Sequence, residues 1–503
     1  MKRSPVLLIA VLFALPTKGQ YFTGINGSEY AGITTVNFNP AIANSPFIAD
    51  INLIDIASAV NNNYVGIDRR AVFHPSLFND LNFQADHLVE RLNGKVKNAF
   101  VGTQIQGPLS FMFSFGRRKH RNRNAIGFSY HSNFVADIDN VNQTLARIAY
   151  YGFGNNADAV THFVSQNLSN AKLGIKTLAW NDYGITYSRV IYEKGDNLVK
   201  VGGTLKLLQP LAGGYIYSKY LSYKWPETGT LSINNTNVNY AYSQGIITSS
   251  QNSAQSVAQS IPSYLHRVMS YSYARPSIAV DMGVVYEWNP FKNKNEMEMD
   301  CGTVSGYLPK LYKLAAGASI IDFGAVRFKQ GTNGGNFYAN IQNWNVAKAQ
   351  FPDVVQSLSD TINARFQYTP NNKDYFTMWL PTRFNLFVDY NIDRGFGVIV
   401  SATISPDMST NGNMVHQVTV FTGTVKYEHK WFGAYIPVSY DVMGNVSLGL
   451  TLRAGPLIIG SQDLLGFLMK KYMYNQEVHA ALKITIPYHK VHHKYDVRFN
   501  KET

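Results

Sequence analysis

His131, Asp137, Asp281, Glu287, Arg383, Asp389, Arg453, His479 and Lys483 each stand in stretches where apolar and polar residues alternate. Imidazoles, carboxylates and amines of these types could relay protons, hold an anion or ligate a metal if they converged in one cleft. Their order forms no Ser/His/Asp set, paired-carboxylate spacing or metal motif, so enzymatic activity, a cofactor and a metal are not expected. The 12 histidines are dispersed, and His489, His492 and His493 lie in a Lys-rich tail that reads as solvated. Cys301, the single cysteine, excludes an internal disulfide. Arg117, Arg118, Lys119, Arg121 and Arg123 make a dense basic turn, read first as a solvated hairpin and second as a contact for anionic headgroups or an acidic partner.

The elements that must position these residues are strands of period two. In 105–115 one face carries Ile105, Phe111, Phe113 and Phe115 and the other Gln106, Ser110 and Ser114. The same design recurs in 126–138, 278–288, 383–404, 446–453 and 477–486. Segments of about ten alternating residues have the length of tilted membrane strands. On this reading Phe111, Phe128, Tyr286, Phe396 and Leu450 face outward, and the nine ionisable residues above face a lumen. Tight turns at 193–197, 391–395 and 428–430 alternate with long segments at 57–100, 139–178, 244–275 and 324–376, the asymmetry of periplasmic turns and extracellular loops. Three long segments are expected to hold small helices, one over 344–364. The fold expected is all-β, a transmembrane antiparallel barrel of about 14 strands, within a range of 12–16.

Composition agrees with such a wall. Aromatics reach 13 %, with 32 Tyr and 29 Phe, while charged residues are only 15 %, against about a quarter in ordinary soluble domains. Mean hydropathy is −0.14, as alternation averages out. The net charge of +13 favours anionic partners, among which lipopolysaccharide phosphates suit an exported chain and nucleic acid does not. Met1-Lys2-Arg3, the apolar run Val6 to Leu15 and Gly19 read as a secretory signal peptide over 1–19. The remaining divisions are a segment at 20–45, a barrel over 46–488 and a basic tail at 489–503.

Val36-Asn37-Phe38-Asn39-Pro40-Ala41-Ile42-Ala43 precedes the first strand, and this Asn-Pro-Ala box resembles the N-terminal hatch of FadL-type long-chain fatty-acid transporters and of PorV-like barrels of Bacteroidota. The stretch Arg453 to Leu465, with a closing strand through Pro487, resembles an uncharacterised family of Bacteroidota outer-membrane proteins. The resemblance implies that Asn39, Pro40 and Ala41 plug the lumen and that a small hydrophobic compound binds or passes. The PorV-like relatives imply instead an interaction or shuttle subunit with envelope protein partners, and a soluble secreted β-protein is the third reading. Asp360-Thr361-Ile362 resembles the O-glycosylation triplet of Bacteroidota envelope proteins, with Thr361 as acceptor. Outer-membrane lipids are the expected surroundings. Within the lumen Arg383, Arg453 and Lys483 require counterions, and at least one is expected to pair with Asp389, Glu477, Asp281 or Glu287.

Overall fold

A computed structural model describes residues 22–487 apart from 29, 44, 46, 74–82, 108–109, 119–120, 152–166, 225–229, 244–273, 291–311, 331–334, 346–366, 371–373, 394, 410–411 and 430. The expected signal peptide, the basic tail, Lys119, Cys301, Thr361 and nearly all of the helix expected over 344–364 lie outside the described residues; Trp344 and Asn345 end a strand instead.

The alternating segments pair, antiparallel throughout, into one closed ring. Fourteen passes make the wall. They begin with Phe47–Asn62, Lys97–Gln106 continued by Ser110–Arg118, Arg121–Val141, Asn167–Lys194 and Asn197–Lys224. Next come Ser277–Trp288, Leu314–Lys329, Tyr375–Trp379 continued by Arg383–Asp393, Phe396–Ile404, Val420–Glu428 and Phe432–Asp441. Val446–Leu448 continued by Leu450–Ala454, Leu457–Ser461 and Asn475–Pro487 complete the ring. Asn475–Pro487 then pairs with Phe47–Asn62 from Asn61↔Asn475 to Phe47↔Pro487, so every wall edge is satisfied.

Side-chain facing follows the two-residue period. Tyr286 and Phe396 are exposed on the outer surface, and Phe111, Phe128 and Leu450 stand half-exposed in the same outward phase. Ile185, Leu205, Met282, Val400 and Val425 join them in a broad apolar belt. No described helix is long and apolar enough to cross a membrane.

The long segments at 57–100, 139–178 and 324–376 are shorter than expected because the strands overshoot. Asn167–Lys194 and Asn197–Lys224 run 28 residues each, roughly 90 Å at 3.3 Å per residue and far more than a bilayer crossing requires. Their excess is stabilised by pairing with each other and by a side sheet of Thr230–Tyr242, Gly335–Asn345 and Gln367–Pro370. Strand Phe47–Asn62 likewise continues five residues beyond the predicted start of a loop at 57. Small helices stand at Arg69–Phe73, Phe83–His87, Gln143–Tyr151 and Leu464–Met469.

Candidate functional site

Lumen-facing side chains are buried at every level, from Lys426 near the tight turns through Lys206 to Trp180 and Phe328. A water-filled pore would leave them exposed. Three kinds of material fill the space.

The first is the N-terminal segment. Phe22, Ile25 and Ala31 pack on Ala57, Tyr435, Ile458 and Ala481, and on the opposite wall Phe38 and Ala41 pack on Val285, Ala315 and Phe387. Wall groups also meet its backbone, which would otherwise be buried without partners. Lys483 donates to the carbonyls of Tyr30 and Ala31 at 2.8 Å, Lys200 donates to that of Ala43 at 2.9 Å, and Asn385 donates to that of Phe38 at 2.9 Å. Asn39, Pro40 and Ala41 are all buried within the ring. The Asn39 amide points at the carbonyls of Val284 and Ala318, while its oxygen accepts the Ala41 N–H at 2.9 Å. Two wall glycines permit this approach: a Cβ at Gly202 would lie 2.1 Å from the Pro40 carbonyl oxygen, and one at Gly283 would lie 2.2 Å from Asn39 Oδ1. A cavity of about 90 Å³ remains between segment and wall, lined in part by Ser28, Thr35, Lys200 and Glu287, enough for a few waters.

The second filling is charge. Asp281 meets Lys206 at 2.9 Å, Lys206 meets Asp322 at 2.6 Å and Asp322 meets Arg383 at 2.7 Å, a ladder over four successive wall strands. Glu287 pairs with Lys200 at 2.7 Å, Asp389 with Lys426 at 2.6 Å, His131 with Asp182 at 2.8 Å and His479 with Glu477 at 2.7 Å. Lys483 pairs with Asp50 at 3.1 Å. Arg453 donates to the carbonyls of His429 and Phe432 and lies 4.1 Å over the Tyr30 ring.

These pairs correct the counterion expectation. Arg383 and Lys483 bind the carboxylates of Asp322 and Asp50, while Asp389, Glu477, Asp281 and Glu287 meet Lys426, His479, Lys206 and Lys200. The partners of Arg383 and Lys483 come from the adjacent strand Leu314–Lys329 and, across the ring closure, from Phe47–Asn62. Asp322 also escapes strict alternation. It sits at a β-bulge opposite Asp281, with φ +59, so inward phase shifts from Ser319 and Ile321 to Asp322. Lys206 and Lys426 were legible, since Thr204 and Lys206 alternate with Leu205 and Leu207, and Thr424 and Lys426 with Val425 and Tyr427.

At the end away from the tight turns the third filling is apolar. Trp180, Leu178, Phe328, Phe376, Met378 and Leu380 pack with Val415 and Val418, which the segment 405–419 carries inward. His416 on that segment holds it. Its Nδ1 lies 3.1 Å from Asp137 and 3.2 Å from Asp139, and its Nε2 lies 3.2 Å from Asp407. Such a carboxylate and imidazole set could ligate a metal. Here, however, the Lys176 ammonium lies 2.6 Å from Asp139 and 3.0 Å from His416 Nδ1, so the cluster is an ion-pair network. Burial pushes the imidazolium down, but hydrogen bonds to the three carboxylates outweigh it and raise His416 from 6.5 to about 11. A raised folded-state value stabilises fully below the unfolded 6.5 and is lost as pH rises toward about 11. The difference in thermal midpoint between wild type and His416→Ala should therefore be largest just below pH 6.5 and vanish near pH 11. A pH-independent difference would show that His416 acts by packing alone.

The basic turn closes a hairpin in which Arg117 pairs with Asn122 and Arg118 with Arg121. Arg123 is half-buried just beyond it.

No curated protein matches the chain. Among solved structures, a FadL homologue of Pseudomonas aeruginosa is 10% identical and aligns over 94% of this chain and 99% of its own, with a TM-score of 0.39. A mutant of TodX, described as a monoaromatic hydrocarbon channel, is 9% identical over 94% and 96%, with a TM-score of 0.39. The translocator domain of the autotransporter NalP from Neisseria meningitidis is 8% identical over 86% and 88%, with a TM-score of 0.29. The model of a family of unknown function, DUF5723, matches residues 40–462, and the chain belongs to that family.

Proposed function

We propose that the protein is an outer-membrane barrel that binds or passes a small hydrophobic compound, in the manner of FadL-type channels, with residues 20–45 as the hatch. The observation that carries this reading is the apolar cluster around Trp180, Phe328 and Met378 inside the ring. The outer belt already satisfies the lipid, so apolar residues facing the lumen are not required by the membrane and suit an apolar guest. Asn39, Pro40 and Ala41 would then shut the path on the side of the tight turns, and the 405–419 segment would shut the other. Charged groups of the lumen brace the wall rather than select a solute.

A second reading, a non-transporting PorV-like subunit that docks envelope proteins, is favoured by a different observation: ion pairs cross-brace the interior from Lys426 to Lys206. Uptake by proteoliposomes separates the two. The first reading expects entry of a labelled alkylbenzene or fatty acid, enhanced by His416→Ala, and a small-molecule adduct in native mass spectra from mild detergent. No entry with either protein, together with a co-purifying protein mass, would establish the second.

A further inference from the structure

The end of the barrel away from the tight turns carries a surface in which exposed apolar and cationic side chains meet. Segment 461–475 joins the last two wall passes, and its Tyr472–Met473 pairs with Val65–Asp68 in a separate three-stranded sheet. Asp463 accepts the Leu448 N–H at 2.9 Å, and Lys470 donates to the Val446 carbonyl, so helix Leu464–Met469 lies along the edge of strand Val446–Leu448. Gly466 and Phe467 are its buried residues, whereas Leu464, Leu468 and Met469 are exposed, the last at 78%. They continue the outer belt upward from Val446, Ile459 and Val478.

Four cations border this apolar tip. Arg69 accompanies the helix end, its N–H donating to the Lys471 carbonyl at 3.0 Å and its guanidinium to the Leu468 carbonyl at 2.6 Å. Arg70, Lys470 and Lys471 complete the set, and Arg69, Arg70 and Lys471 are exposed. Asp68 and Asp463, buried beneath the surface, pair with Arg70 and Lys470, so the net positive charge of the rim rests on Arg69 and Lys471.

We infer that this rim is a binding surface for a phosphorylated lipid of the outer leaflet, whose acyl chains lie on Leu464, Leu468 and Met469 while its phosphates meet Arg69, Arg70 and Lys471. Apolar side chains level with the belt and cations just above it match the two chemical zones of an anionic lipid, each basic side chain adding attraction to a phosphate-bearing surface. The inference rests on the outer-membrane reading and on tight turns facing the periplasm.

The test uses the full-length protein in two steps. Flotation with liposomes examines the membrane reading; failure to float overturns both proposals. For protein that floats, native mass spectrometry in non-ionic detergent compares bisphosphorylated lipid A with its dephosphorylated form. The wild type is expected to retain the phosphorylated lipid at least tenfold better. The variant R69Q/R70Q/K471Q should bring the two lipids close to parity, and Leu468→Ser with Met469→Ser should weaken both. Millimolar inorganic phosphate should not displace the lipid, whereas displacement would identify a free-phosphate site and overturn the lipid assignment. Equal retention of the two lipids by wild type, or an unchanged preference in a triple variant that keeps its heat-modifiable gel mobility, would also overturn it while leaving the membrane reading intact.

Discussion

Lys206→Met is expected to lower the stability of the barrel by about 3–5 kcal/mol, the usual cost of removing one member of a buried ion pair. Lys206 is fully buried between Asp281 at 2.9 Å and Asp322 at 2.6 Å, so the variant leaves two carboxylates facing one remaining cation, Arg383. Methionine conserves the volume of the lysine stem, which isolates the charge from the packing. The change should appear as a lower urea midpoint for refolding into detergent and as a lower temperature for loss of the compact gel band. Adding Asp281→Asn should recover much of the loss, because Arg383 and Asp322 then remain as a balanced pair. If the double variant is no more stable than the single, packing around Lys206 matters and its charge does not.

Gly202→Val is expected to unseat the N-terminal segment while leaving the ring closed. The first carbon added at this position would lie 2.1 Å from the Pro40 carbonyl oxygen, 2.4 Å from its carbon and 2.7 Å from the Ala41 nitrogen, all backbone atoms that no rotamer change can move. Strand Asn197–Lys224 keeps its ladder, for which valine is well suited. A protease added to the detergent-solubilised variant should cut within 22–45, which the wild type protects, while the heat-modifiable gel mobility of the closed ring is kept. Gly283→Val should act in the same way through Asn39. Gly423→Val is the control, since a Cβ there meets nothing within 4 Å. Protection of 22–45 in both Gly202→Val and Gly283→Val would mean that the contacts of Asn39 and Pro40 with the wall do not hold the segment.

The wall was readable from sequence because lipid on one side imposes a period of two that hardly any residue escapes. Phe111, Tyr286 and Phe396 show that rule at work, and the turns at 193–197 and 391–395 stand where Gly195 and Gly395 take positive φ. What fills the lumen was harder to read, because its contacts join residues far apart in the chain. His416 lies on a segment without regular structure, and nothing in its neighbours points to Asp137 and Asp139. Asp322 is hidden by a bulge that reverses the phase on which facing was judged. The ends of strands 167–194 and 197–224 were missed for a simpler reason: bilayer thickness sets a minimum length for a strand, not a maximum.

The seam between the first and last strands also constrains the order of assembly. Asp50 and Lys483 meet across it although 433 positions separate them, so this contact carries a large loop-closure entropy and forms late. Lys483 also holds the carbonyls of Tyr30 and Ala31. One amine therefore ties the seam to the N-terminal segment, and the two become kinetically inseparable: a nascent barrel that has not zipped shut has not fixed that segment either. Since this segment directly precedes the first strand, the sheet can curl around it, and no threading through a finished ring is needed. An arrested intermediate would accordingly show two defects at once, an unpaired strand edge open to aggregation and a loose N-terminus open to proteolysis.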